Sequence, residues 1–217
     1  MNDDAVLSVA KTRYTTKYYD NHNDLTDAEL QAVLEILRLT PSSMNVQPWH
    51  FYVFDHATIH TKLLPFVKDF NIQRCAAASH IIVMAAKTTI DQSWLDRIVK
   101  KEMSDGRFLD GFDVAQFADF RHQGVEAYFS GPDHGEIWVR EQVHIALGFL
   151  MFAAPQMGID TTALGGMKFR EFDKAFGLPE RGEKAAVAIA LGRRDPNDSN
   201  LTRPKSRLDA KDVITMM

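Results

Sequence analysis

The sequence predicts a chain of the α/β or α+β class, with one sheet between helical layers. Two runs, His80 to Ala86 and Ala185 to Leu191, are apolar on both faces, as strands at the centre of a sheet are. Helical periodicity fills most of the chain between strands. The third observation is bulk: 217 residues, 45% hydrophobic and 25% charged, have ordinary globular composition and enough length for the core of one domain spanning 1–217.

Taken in order, Val6, Val9 and Ala10 predict a short first helix that ends before Arg13-Tyr14-Thr15-Thr16-Lys17-Tyr18-Tyr19-Asp20, whose hydroxyls and β-branched residues read as extended or loop. Thr26-Asp27-Ala28-Glu29 is a capping box, with Leu30, Val33, Leu34 and Leu37 following at helical spacing. Pro41 disfavours helical geometry in the residue before it, so that helix ends near Thr40. Ser42 and Ser43 open a loop that Pro48 keeps extended into a strand at His50 to Phe54. A shorter strand is predicted at Thr161 to Leu164, and helices over 57–67, 70–77, 91–104, 112–129, 135–157 and 169–176. Turn chemistry at Asp195-Pro196-Asn197-Asp198-Ser199-Asn200 then opens a polar tail, of a kind that is normally frayed, running to Met217.

Composition narrows the function classes. A formal charge of -4 and a pI near 6.0 argue against a nucleic-acid surface, which carries a basic excess on one face. The single cysteine, Cys75, rules out an internal disulfide and a cysteine-rich metal site and fits a reducing cytosol; in its alanine-rich run it reads as a small buried hydrophobe. The acidic opening Met1-Asn2-Asp3-Asp4 lacks the blocks of a signal peptide, which predicts a cytoplasmic location. The apolar stretch Ile145 to Pro155 is well short of the ~18–20 residues that cross a bilayer, so it reads as a buried helix and no membrane partner is expected.

Several chemistries lack their motifs. There is no GxGxxG after a strand, no phosphate-binding GxxxxGK[ST] and no GxSxG elbow. His56 and His60 stand four apart without the acidic partner or third ligand of a zinc site, so no metal is expected. His144, within an apolar helix, reads as a core histidine or an interface residue.

What the chain does carry is a pair of cationic clusters, Arg13-Tyr14-Thr15-Thr16-Lys17 and Lys205-Ser206-Arg207, at opposite ends of the sequence. Each combines cations with hydroxyls, a mixture suited to one phosphate held by charge-assisted hydrogen bonds. A third segment, Pro41 to Phe51, is rich in groups that hydrogen-bond without titrating.

With all three in this order, the chain resembles the FMN-dependent nitroreductase family, particularly its oxygen-insensitive NAD(P)H nitroreductase and dihydropteridine reductase branch. The resemblance runs over nearly the whole chain and includes the strand around Ala78 to Val83, Asp105-Gly106-Arg107-Phe108 and Pro204-Lys205-Ser206-Arg207-Leu208. It implies an α+β fold with a mostly antiparallel sheet, and a homodimer with two cofactors near its interface. It also implies that the extension at 195–217 wraps the second subunit.

For the site, the resemblance implies that Arg13, Lys205 and Arg207 hold the FMN phosphate, with Tyr14, Thr15 and Ser42 nearby. Ser42, Ser43 and Asn45 match the portion given to the flavin across the dimer interface. Asn71 matches the contact to the pyrimidine edge, and Lys17 and Arg74 match the cations near flavin N1 and O2. Gly165 and Gly166 match the turn whose backbone approaches N5 and O4, and Arg107 a position near the nicotinamide dinucleotide; Lys17, Asn71, Arg74 and Arg107 thus also face the substrate. The chain departs from its relatives at Gly165, where they carry an acid, at Tyr14, where a histidine is familiar, and at Arg74, where a lysine is. Phe108, Phe112, Phe117, Phe120, Tyr128 and Phe129 crowd the region that covers the active site, where one or two are expected to gate it.

The activity so implied is ping-pong oxidoreduction, from NADH or NADPH through FMN to a flat acceptor such as a nitroaromatic, quinone or pteridine, with no protein nucleophile. The alternatives are a flavin reductase that releases reduced FMN and a non-catalytic flavin-binding protein.

Overall fold

The computed structural model describes residues 3–217, so Met1 and Asn2 of the acidic opening lie outside the described residues. Four strands, β1 (Trp49–Asp55), β2 (His80–Lys87), β3 (Asp160–Leu164) and β4 (Glu183–Gly192), form one antiparallel sheet in the order β1-β2-β4-β3. With helices on both faces, the chain is α+β.

The two strands that read as apolar on both faces, β2 and β4, are the central pair. Their side chains alternate across the sheet with period two. Ile82, Met84, Ile189 and Leu191 pack on one face against Val33, Leu37, Val143 and Leu150. On the opposite face, Ile81, Val83, Ala188 and Ala190 meet Phe54, Leu63, Cys75 and Phe172. The first layer is built from α2 (Asp27–Arg38), α5 (Gln92–Ser104), α6 (Val114–Phe129) and α7 (Glu136–Ala153), and the second chiefly from α4 (Asp69–Ala76) and α8 (Phe169–Phe176). Cys75 is fully buried in the second layer, and burial pushes its thiol up to about 11, as suits a packing residue.

The start of α2 is the capping box read from the sequence. Thr26 Oγ1 accepts from the Glu29 amide at 3.3 Å, and Glu29 Oε2 accepts from the Thr26 amide at 2.9 Å. Thr26→Ala is expected to cost about 1 kcal/mol. In a chain of this size that lowers Tm by about 2–4 °C in a circular dichroism melt; an unchanged Tm would contradict it.

Three segments differ from expectation. The helix expected over 57–67 is a single α-turn, α3 (His56–Thr58), then a π-turn at Ile59–Leu63 and a 3₁₀ turn at Leu64–Phe66. Pro65 has no amide proton and cannot continue an α-helical ladder.

The apolar run at 145–155, expected to be buried, is buried on one side only. Ala146, Leu147 and Leu150 face the core, whereas Ile145, Phe149 and Phe152 are exposed, together with Ile137 about two turns earlier. His144 lies on this outer face, with Nδ1 2.8 Å from the Arg140 carbonyl oxygen, and so is no core histidine within this chain. α7 with its trailing turn, Glu136–Met157, is long and apolar enough to cross a membrane by length and composition, yet α7 packs along α2, β1, β2 and β4 as a core helix.

Finally, the tail contains a short helix, α9 (Ala210–Val213). Its neighbours Leu208, Ile214 and Met216 are exposed.

Candidate functional site

The two cationic clusters meet. After α1 (Asp3–Thr12) the chain runs beside β3, where Thr15 forms a parallel bridge with Thr161 and Thr162 Oγ1 donates to the Thr16 carbonyl at 2.6 Å. The tail returns to the same place. Asp198 Oδ2 accepts from the amides of Lys17 and Tyr18, the latter at 2.6 Å, and Asn200 Nδ2 donates to the Thr15 carbonyl at 2.8 Å. Lys205 Nζ donates to the carbonyls of Ala10 (2.7 Å) and Arg13 (2.6 Å). These are the open carbonyls at the end of α1, where a cation is favoured by both hydrogen bonding and the helix dipole.

Together the segments enclose a cavity of about 590 Å³ whose lining includes Arg13, Tyr14, Thr15, Arg194, Lys205 and Arg207. Among the described residues no acidic side chain lines it. Burial first, and Arg207 second, push the Arg13 guanidinium below its ordinary range; Lys205 is lowered by desolvation, then by Arg13 and Arg207. Arg13 Nε is buried without a hydrogen-bond partner. Cations that repel one another around an unfilled donor are the arrangement that a bound anion would relieve.

A second group lies where β3 ends. Asn71 Nδ2 donates to the Gly166 carbonyl at 3.4 Å, and Arg74 Nη1 donates to Asn71 Oδ1 at 2.7 Å. Arg74 Nε is buried and unpartnered. The turn is stitched in place, since the Lys68 amide bonds the Gly166 carbonyl at 3.1 Å and the Lys168 amide bonds Phe66 at 2.7 Å. A Cβ on Gly166 would lie 2.4 Å from Asn71 Nδ2 and 2.8 Å from Phe70 Cε2, so those side chains would have to move aside, whereas one on Gly165 would meet nothing within 4 Å. None of Arg13, Lys17, Arg74, Lys205 and Arg207 forms a salt bridge among the described residues. From Thr161, beside Thr15, to Gly165 the β-strand rise gives about 13 Å, the separation of the two groups along β3.

Ser42, Ser43, Asn45 and Arg107 are not brought to this place. Ser42, Asn45 and Arg107 line a separate cavity of about 800 Å³ between α2, α5 and α6. The Ser43 amide next to it donates to Gln142 Oε1 at 2.8 Å.

A model of the nitroreductase family matches residues 10–193. The chain belongs to the nitroreductase family. It is 32% identical over 218 residues to the oxygen-insensitive NAD(P)H nitroreductase of Enterobacter cloacae, covering 97% of this chain and 98% of that one. It is 30% identical over 216 residues to the major NAD(P)H-flavin oxidoreductase of Aliivibrio fischeri, covering 98% of each. Among solved structures, a protein from Exiguobacterium sibiricum 255-15 in complex with FMN matches with a TM-score of 0.79 at 23% identity, over 100% of this chain and 98% of that chain. That likeness bears on the fold.

Within this nitroreductase-family chain, the aromatic crowd divides. Phe108 and Phe112 stack at 5.1 Å with Phe117 edge-on to both, whereas Tyr128 stacks on Trp138 at 4.4 Å and Phe129 meets it edge-on. Phe117 lines the larger cavity, and Phe120 projects outward, 67% exposed. Sequence reasoning missed Asp198, Glu102, Arg121 and Gln142, each of which fixes a backbone or side chain at one of the two cavities. Asp198 had a turn reading of its own; the other three sit in helices, where a lone polar residue reads as solvated face.

Proposed function

We propose that the chain is an FMN-dependent NAD(P)H oxidoreductase that reduces flat acceptors such as nitroaromatics, quinones or pteridines in two-electron, ping-pong turnover. The observation that carries this is the cationic cavity with its unfilled Arg13 donor, which gathers both cationic clusters and has no acidic lining among the described residues; the Asn71–Arg74–Gly166 group lies beyond the far end of β3. These residues fit FMN. Arg13, Arg207 and the remaining proton of Lys205 would hold the phosphate, with Tyr14 and Thr15 beside it. Asn71 would meet the pyrimidine edge, and the backbone of Gly165 and Gly166 would approach the ring. Lys17 and Arg74 would place positive charge where negative charge develops on reduction, and each 1.4 kcal/mol of such selective stabilisation is about tenfold. FMN, when bound, supplies the redox chemistry, taking a hydride from NADH or NADPH and passing two electrons to the acceptor. The protein orients donor and acceptor in turn over one slot and contributes no nucleophile.

The same reading makes the protein a homodimer. Ser42, Ser43, Asn45 and Arg107 belong to a cavity apart from the cationic one, so they would serve a second copy's flavin. The exposed apolar residues Ile145, Phe149 and Phe152 of α7 support an interface, as do Leu208, Ile214 and Met216 on a tail that would wrap the partner as the outer part of the 195–217 extension. We place this single-domain protein in the cytoplasm, where its one free thiol suits a reducing medium.

The deciding experiment is an anaerobic visible spectrum of purified protein. Yellow protein that bleaches with NADPH or NADH and regains colour with a nitroaromatic is expected; colourless protein that takes up no FMN sinks the reading. The flavin-reductase alternative predicts instead that FMN leaves on gel filtration after reduction. The two glycines give a sharper check. Gly166→Ala is expected to displace Asn71 and raise the Kd for FMN about tenfold, or about 1.4 kcal/mol, while Gly165→Ala, whose Cβ meets no protein atom within 4 Å and so leaves Asn71 in place, raises it less. Equal effects in a fluorescence titration would refute that placement.

A further inference from the structure

A buried polar hub joins the 42–47 loop to Arg107. Glu102 on α5 is 4% exposed. Its Oε1 accepts from Asn45 Nδ2 at 2.8 Å and Arg121 Nη2 at 2.9 Å, its Oε2 lies 2.8 Å from the same Nη2, and Arg107 Nε stands 3.5 Å from Oε1. One carboxylate therefore gathers donors from the loop, from α6 and from the turn after α5. Arg121 is 2% exposed with its guanidinium 4.9 Å over the Phe117 ring, and its Nε and Nη1 are buried without partners.

Stability alone gives no reason for this arrangement, because buried ion pairs are often matched or bettered by apolar side chains of similar volume. Unmet buried donors add a further cost. What the pair does is fix a strained loop. Met44, Asn45 and Gln47 adopt φ of 51°, 54° and 46°, a left-handed conformation that side chains disfavour and that persists only when surrounding bonds impose it. Asn45 is held at both ends, Nδ2 by Glu102 and Oδ1 by Gln47 Nε2 at 3.2 Å. Met44 seats its sulfur in the notch left by Gly124 on α6, where a Cβ would lie 2.5 Å from Sδ.

We propose that Glu102 and Arg121 are positioning residues that hold the Ser42–Gln47 loop and Arg107 in the geometry that receives the flavin and the nicotinamide dinucleotide. This rests on the function proposed above. Glu102 takes one of the two donors of the Asn45 amide and so fixes which way the other points, while the loop also offers its backbone and Ser42 and Ser43. Arg107, 60% exposed and lining the cavity, shares Glu102 with Arg121 through Nε, which leaves its other guanidinium donors for a pyrophosphate.

The test uses two variants of the full chain, Asn45→Ala and the double variant Glu102→Gln with Arg121→Met, which leaves neither charge buried alone. Hydrogen exchange on flavin-free protein is read first. The Ser43 and Gln47 amides, bonded to Gln142 Oε1 and Ser42 Oγ, are expected to exchange at least about tenfold faster in both variants while the amides of β2 are unchanged. In flavin-loaded protein, the Kd for FMN and the KM for NADPH are each expected to rise about tenfold with kcat within about twofold, the pattern of lost binding geometry rather than lost chemistry. Unchanged exchange overturns the proposal, and so does faster exchange with unchanged Kd and KM. If the double variant fails to fold, hydrogen exchange on flavin-free Asn45→Ala, which alters no buried charge, decides alone. Wild-type protein that takes up no FMN overturns the proposed function instead, and exchange then still shows whether Glu102 holds the loop.

Discussion

Replacing Arg13 and Lys205 together by alanine is expected to weaken FMN binding by about two to four orders of magnitude while leaving the binding of riboflavin nearly unchanged. Each side chain would give the phosphate a charge-assisted hydrogen bond of about 1.5–3 kcal/mol. Two such losses amount to about 3–6 kcal/mol, and every 1.4 kcal/mol is tenfold. Riboflavin lacks the phosphate, so it reports the ring contacts at Asn71, Arg74 and Gly166 alone. The fold should survive. Removing Arg13 relieves mutual repulsion with Arg207 and Lys205, and losing the Lys205 cap on α1 costs about 0.3–1 kcal/mol. Fluorescence titrations of both flavins check this at two salt concentrations. A fall in FMN affinity of less than tenfold, or an equal fall for riboflavin, would show that the anion is held elsewhere.

The second large effect is on stability. Phe172→Ala is expected to cost about 3–5 kcal/mol, the range for truncating a buried phenylalanine, and to lower Tm by about 6–20 °C in a chain of this length. Phe172 is fully buried at the centre of an aromatic cluster, stacked on Phe176 at 4.5 Å and edge-on to Phe54, Phe66 and Tyr52 at 6.1, 5.9 and 6.4 Å. The cluster also supports the site, because the Phe66 carbonyl anchors the Lys168 amide just beyond Gly166. Phe172→Leu keeps most of the volume and should lose less than half as much. Urea denaturation gives both numbers; a loss under about 1 kcal/mol for alanine would mean that the second layer closes over the gap.

These two variants probe features of different legibility. The aromatic core and the strands that meet it follow from local rules. β2 and β4 could be named as the central pair because strands apolar on both faces must be covered on both. The Thr26–Glu29 capping box closes within four residues, so it too could be read directly. The meeting of Arg13 with Lys205 and Arg207 was inferred from the chemistry of one anion and from family resemblance, and the cavity they share agrees with it. Other features were not legible. Nothing in the apolar run of α7 distinguishes a helix buried all round from one with a bare apolar face, because that depends on what lies opposite. The breaking of the 56–66 segment into π and 3₁₀ turns likewise exceeds what Pro65 alone foretells.

The sequence by itself determined the four strands, most of the helices, the layering of the sheet and the residue types that an anion requires. Only the tertiary structure decided that the cationic ends and the Ser42–Gln47 loop lie in two separate cavities of one chain. It also decided that Glu102, Arg121 and Asn45 share one buried set of hydrogen bonds. The physical reason is one of range. Periodicity, capping and turn chemistry act between residues a few positions apart, whereas Asn45 reaches Glu102 across 57 positions, and only the closing of α5 and α6 over the loop brings them within 2.8 Å.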